Sequence, residues 1–260
     1  MISPRLPPEL IKSIFNILAT QNDWDTIRAC CLLSSQHSPV ARRYLFSIVK
    51  LKLNSKVSIR DLVRRIQGLC QLLQSNTYTS RCIKTLEILD TYPVYDSQWI
   101  TQQSSLPYFI SLLENVQSCT FGCEVGYLAW SSFSTELQIC LKKLFFSPQL
   151  KALSLRNLGS VPVVILWNPV VRYIHLNDVS IPSSDLFDNS DDTESQRDHL
   201  QDTQLVYLNI RTVSTENTES ISRLMESQGK NLKIIKWRCW EGIYISPSTS
   251  MKSYTLPIFS

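Results

Sequence analysis

Leu150-Lys151-Ala152-Leu153-Ser154-Leu155 carries large apolar residues at its first, fourth and sixth positions, and five further segments repeat that spacing. They are Ile83-x-x-Leu86-x-Ile88, Val116-x-x-Cys119-x-Phe121, Val171-x-x-Ile174-x-Leu176, Leu205-x-x-Leu208-x-Ile210 and Leu232-x-x-Ile235-x-Trp237. Residues two apart share one face of an extended chain, so each segment predicts a short strand with one buried face. Successive starts lie 33, 34, 21, 34 and 27 residues apart. Helical periodicity fills the gaps at 106–113, 135–146, 161–167 and 219–226. Each strand-plus-helix unit leaves an apolar face that only the next unit covers.

A unit repeated on that period is the mark of a leucine-rich-repeat solenoid, here a degenerate one. The asparagine that usually follows the motif is replaced by Leu158, Val179 and Val213. Upstream, Ile48-Val49-Lys50-Leu51-Lys52-Leu53 alternates as a strand. A helix over 57–73 follows, with Ile59, Leu62, Val63, Ile66, Leu69, Cys70 and Leu73 as its apolar face. The acidic stretch 185–202 reads as a loop between units, and 243–260 has no helical or strand period. The expected fold class is therefore α+β or α/β: a three-helix module at 1–50, a linking strand and helix at 51–80, an irregular leucine-rich-repeat-like solenoid at 81–242, and an irregular tail without a capping unit, as in a shortened chain.

The first fifty residues are helical by punctuation and period. Pro7 and Pro8 suit a first helical turn, Glu9 complements its dipole, and Leu10, Ile11, Ile14, Phe15, Ile17 and Leu18 form one wide apolar face. Asp25 is the expected cap of a second helix ending at Leu33, and a third helix follows Pro39 over 40–46. Three such helices in about forty residues make a core barely large enough to stand alone.

Three blocks in this order, Leu6-Pro7-Pro8-Glu9-Leu10-Ile11-Lys12-Ser13-Ile14-Phe15, Thr26-Ile27-Arg28-Ala29-Cys30-Cys31-Leu32-Leu33-Ser34 and Ala41-Arg42-Arg43-Tyr44-Leu45-Phe46, resemble an F-box, most closely that of large fungal families of F-box proteins. The resemblance covers 5–50. That family usually closes its second helix with Ser-x-x-Trp, whereas here Ser34 is followed by Ser35-Gln36-His37. The resemblance implies docking on the adaptor subunit of an SCF-type cullin–RING ubiquitin ligase through Leu6, Pro7, Leu10, Ile11, Ile14, Leu32, Leu33 and Ser34. The other reading of Ile11 and Ile14 is inward packing against the rest of the chain.

Composition argues against catalysis. With 6 glycines and no glycine-rich phosphate loop, nucleotide chemistry has no sequence support. The 8 cysteines are scattered; Cys119 and Cys123 lack a second ligand pair for zinc, and no glycine near 185–195 serves a calcium loop. Of the three histidines, His37, His175 and His199, His175 alternates with Ile174 and Leu176 and is expected on an exposed sheet face. Residues 1–75 hold 11 Lys/Arg against 4 Asp/Glu, the rest 15 against 18. The densest basic cluster (Lys50, Lys52, Lys56, Arg60, Arg64, Arg65) lacks interleaved aromatics, so it is expected to be solvated surface, with no nucleic acid as partner. No signal peptide or membrane span is expected, which places the chain in the cytoplasm or nucleus with reduced cysteines.

The expected function is a non-enzymatic, cofactor-free adaptor: the N-terminal module docks on the ligase and the repeat surface binds an unknown protein target. The alternative is a leucine-rich-repeat interaction module with no ubiquitin-ligase role. A thiol hydrolase or metal enzyme is the third possibility by class.

Overall fold

A computed structural model describes residues 6–33, 38–53, 57–90, 99–182, 205–212, 232–239 and 252–256. The helix expected at 219–226, the acidic loop, Ser34, His37 and His199 lie outside the described residues, as does the tail apart from 252–256.

The chain opens with three helices, α1 (Pro8–Thr20), α2 (Trp24–Leu33) and α3 (Ser38–Leu45). The cap of α2 is Asp23 rather than the expected Asp25: the Asp23 carboxylate accepts from the Thr26 backbone N–H at 3.1 Å and from its hydroxyl at 2.7 Å. Asp25 falls inside the first turn and instead pairs with Arg28 at 2.7 Å. Among the described residues of the bundle only Phe15, Ile27 and Ala41 are fully buried, with Ile11, Leu18, Trp24, Cys30 and Tyr44 packed around them. Phe15 and Tyr44 stack at 5.8 Å.

The sheet begins with β1 (Ile48–Lys52) and continues through β2 (Thr85–Asp90), β3 (Ser118–Cys123), the two-residue β4 (Leu128–Ala129), β5 (Ala152–Gly159), β6 (Tyr173–Val179), β7 (Tyr207–Thr212), β8 (Ile234–Cys239) and β9 (Lys252–Leu256). The order is β1-β2-β3-β5-β6-β7-β8-β9, with β4 beside β5. Every pairing is parallel except β8 with β9.

All six motif segments become strands, and they stand in register. Leu86, Cys119, Leu153, Ile174, Leu208 and Ile235 form one row across the sheet; Ile88, Phe121, Leu155, Leu176 and Ile210 form the next. All of these side chains are buried, as are the first-position residues Ile83, Val116, Leu150, Val171, Leu205 and Leu232. Val49 and Leu51 of β1 extend both rows by one step, so Phe46-x-x-Val49-x-Leu51 is a further copy of the motif. A shared backbone device recurs at each strand entry. The carbonyls of Ser47, Lys84, Gln117, Lys151, Arg172 and Val206 each accept two successive N–H groups of the next unit, at 2.7–3.1 Å. The unit lengths vary, but this junction does not.

Helices cover one face of the sheet. They are α4 (Ile59–Ser75), α5 (Thr77–Cys82), α6 (Trp99–Gln102), α7 (Ser105–Ser111) and α8 (Thr135–Phe145), which makes eight α-helices among the described residues. Ser58 caps α4 by accepting from the Asp61 N–H at 3.1 Å, and Ser134 caps α8 through the Leu137 N–H at 3.2 Å. The α4 face holds Leu62, Ile66, Cys70 and Leu73 buried as its period predicts, but Ile59, in the first turn, is exposed. The stretch expected to be helical at 161–167 is a 3-10 turn over Val163–Trp167. Pro162 at its start and Asn168-Pro169 at its end leave too few residues for α-helical hydrogen bonds. The fold is thus mixed α/β with a predominantly parallel sheet. No helix among the described residues is long and apolar enough to cross a membrane.

Two further expectations are corrected. The stretch 243–260 is not irregular throughout, because β9 pairs antiparallel with β8 and covers that strand's edge. Lys252-Ser253-Tyr254-Thr255-Leu256 is too short for its period to show, and the edge backbone of β8 supplies the order. The missing asparagine also has a substitute. Asn157, one position early and at φ +50°, donates from Nδ2 to the Cys123 carbonyl at 2.9 Å. The left-handed backbone turns its side chain to the neighbouring strand, a geometry that asparagine tolerates.

Candidate functional site

The described residues show two surfaces that the fold leaves unused. The first is on the bundle. Residues Ile11, Phe15 and Leu18 of α1 turn inward, and the bundle is too thin to bury anything on the opposite side of that helix. Leu10, Ile14 and Ile17 therefore stand 52%, 45% and 56% exposed, with Leu6 at 52% beside them. Leu32, near the end of α2, is 88% exposed. A helix apolar on two sides, of which the chain covers one, has the build of a docking element.

The residues singled out from the sequence therefore divide. Leu6, Pro7, Leu10, Ile14 and Leu32 are exposed, while Ile11 is half-buried against the Phe15–Ile27–Ala41 core. Ile14 does not pack inward on the rest of the chain. Ser34 lies outside the described residues, and Leu33 is described only as the last residue of α2. Ile17 is an addition. It sits three residues after Ile14 and seven after Leu10, the spacing of one helical stripe, but the unbroken apolar face of α1 hid the division into two stripes.

The bundle is fixed to the sheet by polar contacts. Arg43 Nε donates to the Tyr78 hydroxyl at 2.5 Å, and the Ser47 carbonyl at the end of α3 accepts from Lys84 and Thr85 at 2.9 Å.

The second surface is the face of the sheet opposite the helices. It carries the third and fifth positions of each motif copy. Among β1–β3, Lys50 Nζ lies 3.4 Å from Glu87 and Lys52 Nζ 2.5 Å from Glu124. The cluster read from the sequence as one basic patch is consequently divided: Lys50 and Lys52 lie on this face, whereas Arg60, Arg64 and Arg65 lie on the solvent side of α4. Lys56 lies outside the described residues.

Toward β6–β8 the same face turns aromatic and basic. Tyr173 and Tyr207 are register partners with ring centroids 6.4 Å apart, and His175 lies 5.2 Å from the Tyr207 ring. Lys236 Nζ lies 5.7 Å from the same ring centre. The Asn209 amide reaches His175 Nδ1 at 3.2 Å; in the neutral ring Nδ1 accepts, leaving Nε2–H as an outward donor. Burial, with Arg156 and Lys236 nearby, holds the His175 pKa below its ordinary value. His175 is exposed as expected, but its neighbours were missed. The signal was present: superposing the fifth positions of the copies puts Glu87, Thr120, Ser154, His175, Asn209 and Lys236 side by side.

The thiols are placed for packing. Burial pushes Cys119 up to about 12, and burial with Asp90 nearby pushes Cys123 up to about 12, so neither is a thiolate at neutral pH. Among the described residues no three His, Cys, Asp or Glu side chains come together as a metal site. No protein-family model, curated protein or solved structure matches the chain.

Proposed function

We propose that the chain is a target-recruiting adaptor subunit of an SCF-type cullin–RING ubiquitin ligase, with an N-terminal F-box and a degenerate leucine-rich-repeat solenoid. The observation that carries this reading is the second apolar stripe of α1. Leu10, Ile14 and Ile17, with Leu6 and Leu32, remain exposed on a module whose sequence blocks resemble an F-box. The six-step junction of shared carbonyls and the in-register motif rows support the solenoid description.

The mechanism is proximity. The bundle holds the chain on the ligase adaptor, the open sheet face holds a target protein, and the tether raises the target's local concentration at the ubiquitin-charged enzyme. No chemistry is asked of this chain, and the reading places its work in the cytoplasm or nucleus.

Co-expression of the full chain with the ligase adaptor, followed by size exclusion, tests this. A one-to-one complex is expected. A Leu10→Asp/Ile14→Asp variant is expected to lose it while keeping the wild-type circular dichroism spectrum. Absence of a complex at micromolar concentration from a folded wild-type chain overturns the reading and leaves a repeat-type interaction module without a ligase role.

A further inference from the structure

Among the described residues, the lysines of the open face at β1–β3 have acidic partners, whereas Arg156 and Lys236 at β5 and β8 have none. At β1–β3 the lysines are met by Glu87 and Glu124. The strand stretches 152–156, 173–177, 207–211 and 234–238 contain no Asp or Glu at all. Their outward rows hold Arg156, His175 and Lys236. Neither Arg156 nor Lys236 has an ion-pair partner among the described residues. Both cations also act on His175, adding to partial burial in keeping it neutral.

We propose that this face, from β5 to β8, binds an extended, carboxylate-rich segment of a protein. The inference rests on the target-recruiting reading only for calling that protein the target. Geometry selects the occupant. Arg156 on β5 and Lys236 on β8 are three strand spacings apart, about 14 Å. An extended chain advances about 3.3 Å per residue and spans that backbone distance in four or five residues, so it meets both cations and the tyrosines between them at once. Carboxylates on such a segment meet Arg156 and Lys236, the His175 Nε2–H donates to a further acceptor, and Tyr173 with Tyr207 supplies an apolar step between the charges. Single-stranded nucleic acid fits less well. The Tyr207 ring already faces Lys236 and His175, and the Tyr173–Tyr207 pair is tilted by 44°, so the rings do not offer parallel platforms to successive bases.

Fluorescence anisotropy on the full chain tests this with a fluorescein-labelled Glu-Asp-Leu-Glu-Asp-Leu-Glu-Asp peptide. Binding is expected in low salt and is expected to fade as salt rises from about 0.05 to 0.5 M. Arg156→Glu/Lys236→Glu is expected to weaken it about tenfold or more, while Arg64→Glu on the outer side of α4 leaves it unchanged. The Gln-Asn-Leu counterpart peptide is expected not to bind. The inference is overturned if the wild-type chain ignores the acidic peptide, or if Arg64→Glu matches the double variant. It also falls if an otherwise neutral phosphoserine peptide or oligo(dT) binds more tightly than the acidic peptide. The same holds if binding emerges only after the acids of 185–202 are replaced by Ser and Asn, since the chain would then satisfy its own patch. Peptide binding lost with the adaptor complex retained removes this inference alone; peptide binding retained without an adaptor complex removes the ligase reading alone.

Discussion

His175 sits where three influences converge: partial desolvation on the sheet face, Arg156 and Lys236 all disfavour its imidazolium. Its folded pKa lies below the ordinary 6.5, so as pH falls through 6.5 the unfolded chain takes up the proton first. The group therefore withdraws stability on acidification, beginning near the unfolded value and ending below the folded one. His175→Gln is expected to remove that part of the pH dependence of the unfolding midpoint. An NMR titration of the ring is expected to give a midpoint below 6.5 that rises when the acidic peptide is added, because carboxylates offset the two cations. A midpoint unmoved by the peptide would separate the histidine from the binding surface. Gly122 is a residue-scale constraint of another kind. Its φ of +135° is a glycine conformation, and a Cβ there would lie 1.9 Å from the Arg156 carbonyl oxygen of the neighbouring strand. Since that oxygen is backbone, no rotamer relieves the clash. Gly122→Ala is expected to break the β3–β5 pairing, seen as a fall of more than about 3 kcal/mol in denaturant stability or as loss of soluble protein.

At the scale of the element, α1 is the informative case. Its two stripes are both apolar and have opposite fates: Phe15 is 3% exposed, Ile14 next to it 45%. Phe15→Ala is expected to cost about 3–5 kcal/mol or unfold the bundle, because it empties the centre of a core with three fully buried residues. Ile14→Asp is expected to change stability by no more than about 0.5 kcal/mol, since it already faces water. Thermal melts of the two variants check this, and a large loss at Ile14 would mean that the outer stripe is packed. The strand β9 shows the reverse situation. Its five residues carry little signal of their own, and it is ordered by the unpaired edge of β8.

At the scale of the molecule, the bundle and the sheet have separate cores joined by few contacts. The large core runs unbroken from Val49 to Ile235, while the bundle contributes Phe15, Ile27 and Ala41 to a core of its own. So small a core leaves the bundle dependent on Tyr78, Lys84 and Thr85 of the first unit. A fragment of residues 1–47 is expected to lack cooperative helical melting by circular dichroism, whereas the full chain melts with the bundle folded. A cooperative transition in the fragment would show that the bundle is autonomous.

The sequence by itself determined the strands and their register. L-x-x-L-x-L reports burial of one face directly, and each copy from Ile83 to Trp237 became a strand at the expected offset. It likewise determined α4, α7 and α8, whose apolar periods are local signals. Tertiary structure alone decided which stripe of α1 is covered, because period counts apolar residues and does not say what lies opposite them. It decided that Asp23 rather than Asp25 caps the start of α2, a choice between positions two residues apart. It also decided that Asn157, at a left-handed position, does the work of the absent asparagine. Above all it assembled the balanced and unbalanced ends of the open face. Lys50 and Glu87 are 37 positions apart in the chain and Arg156 and Lys236 are 80, and only parallel stacking of units of unequal length makes the first two neighbours and brings the second two onto one face of the sheet. Charge in a linear sequence has no neighbours beyond its own element; folding supplies them.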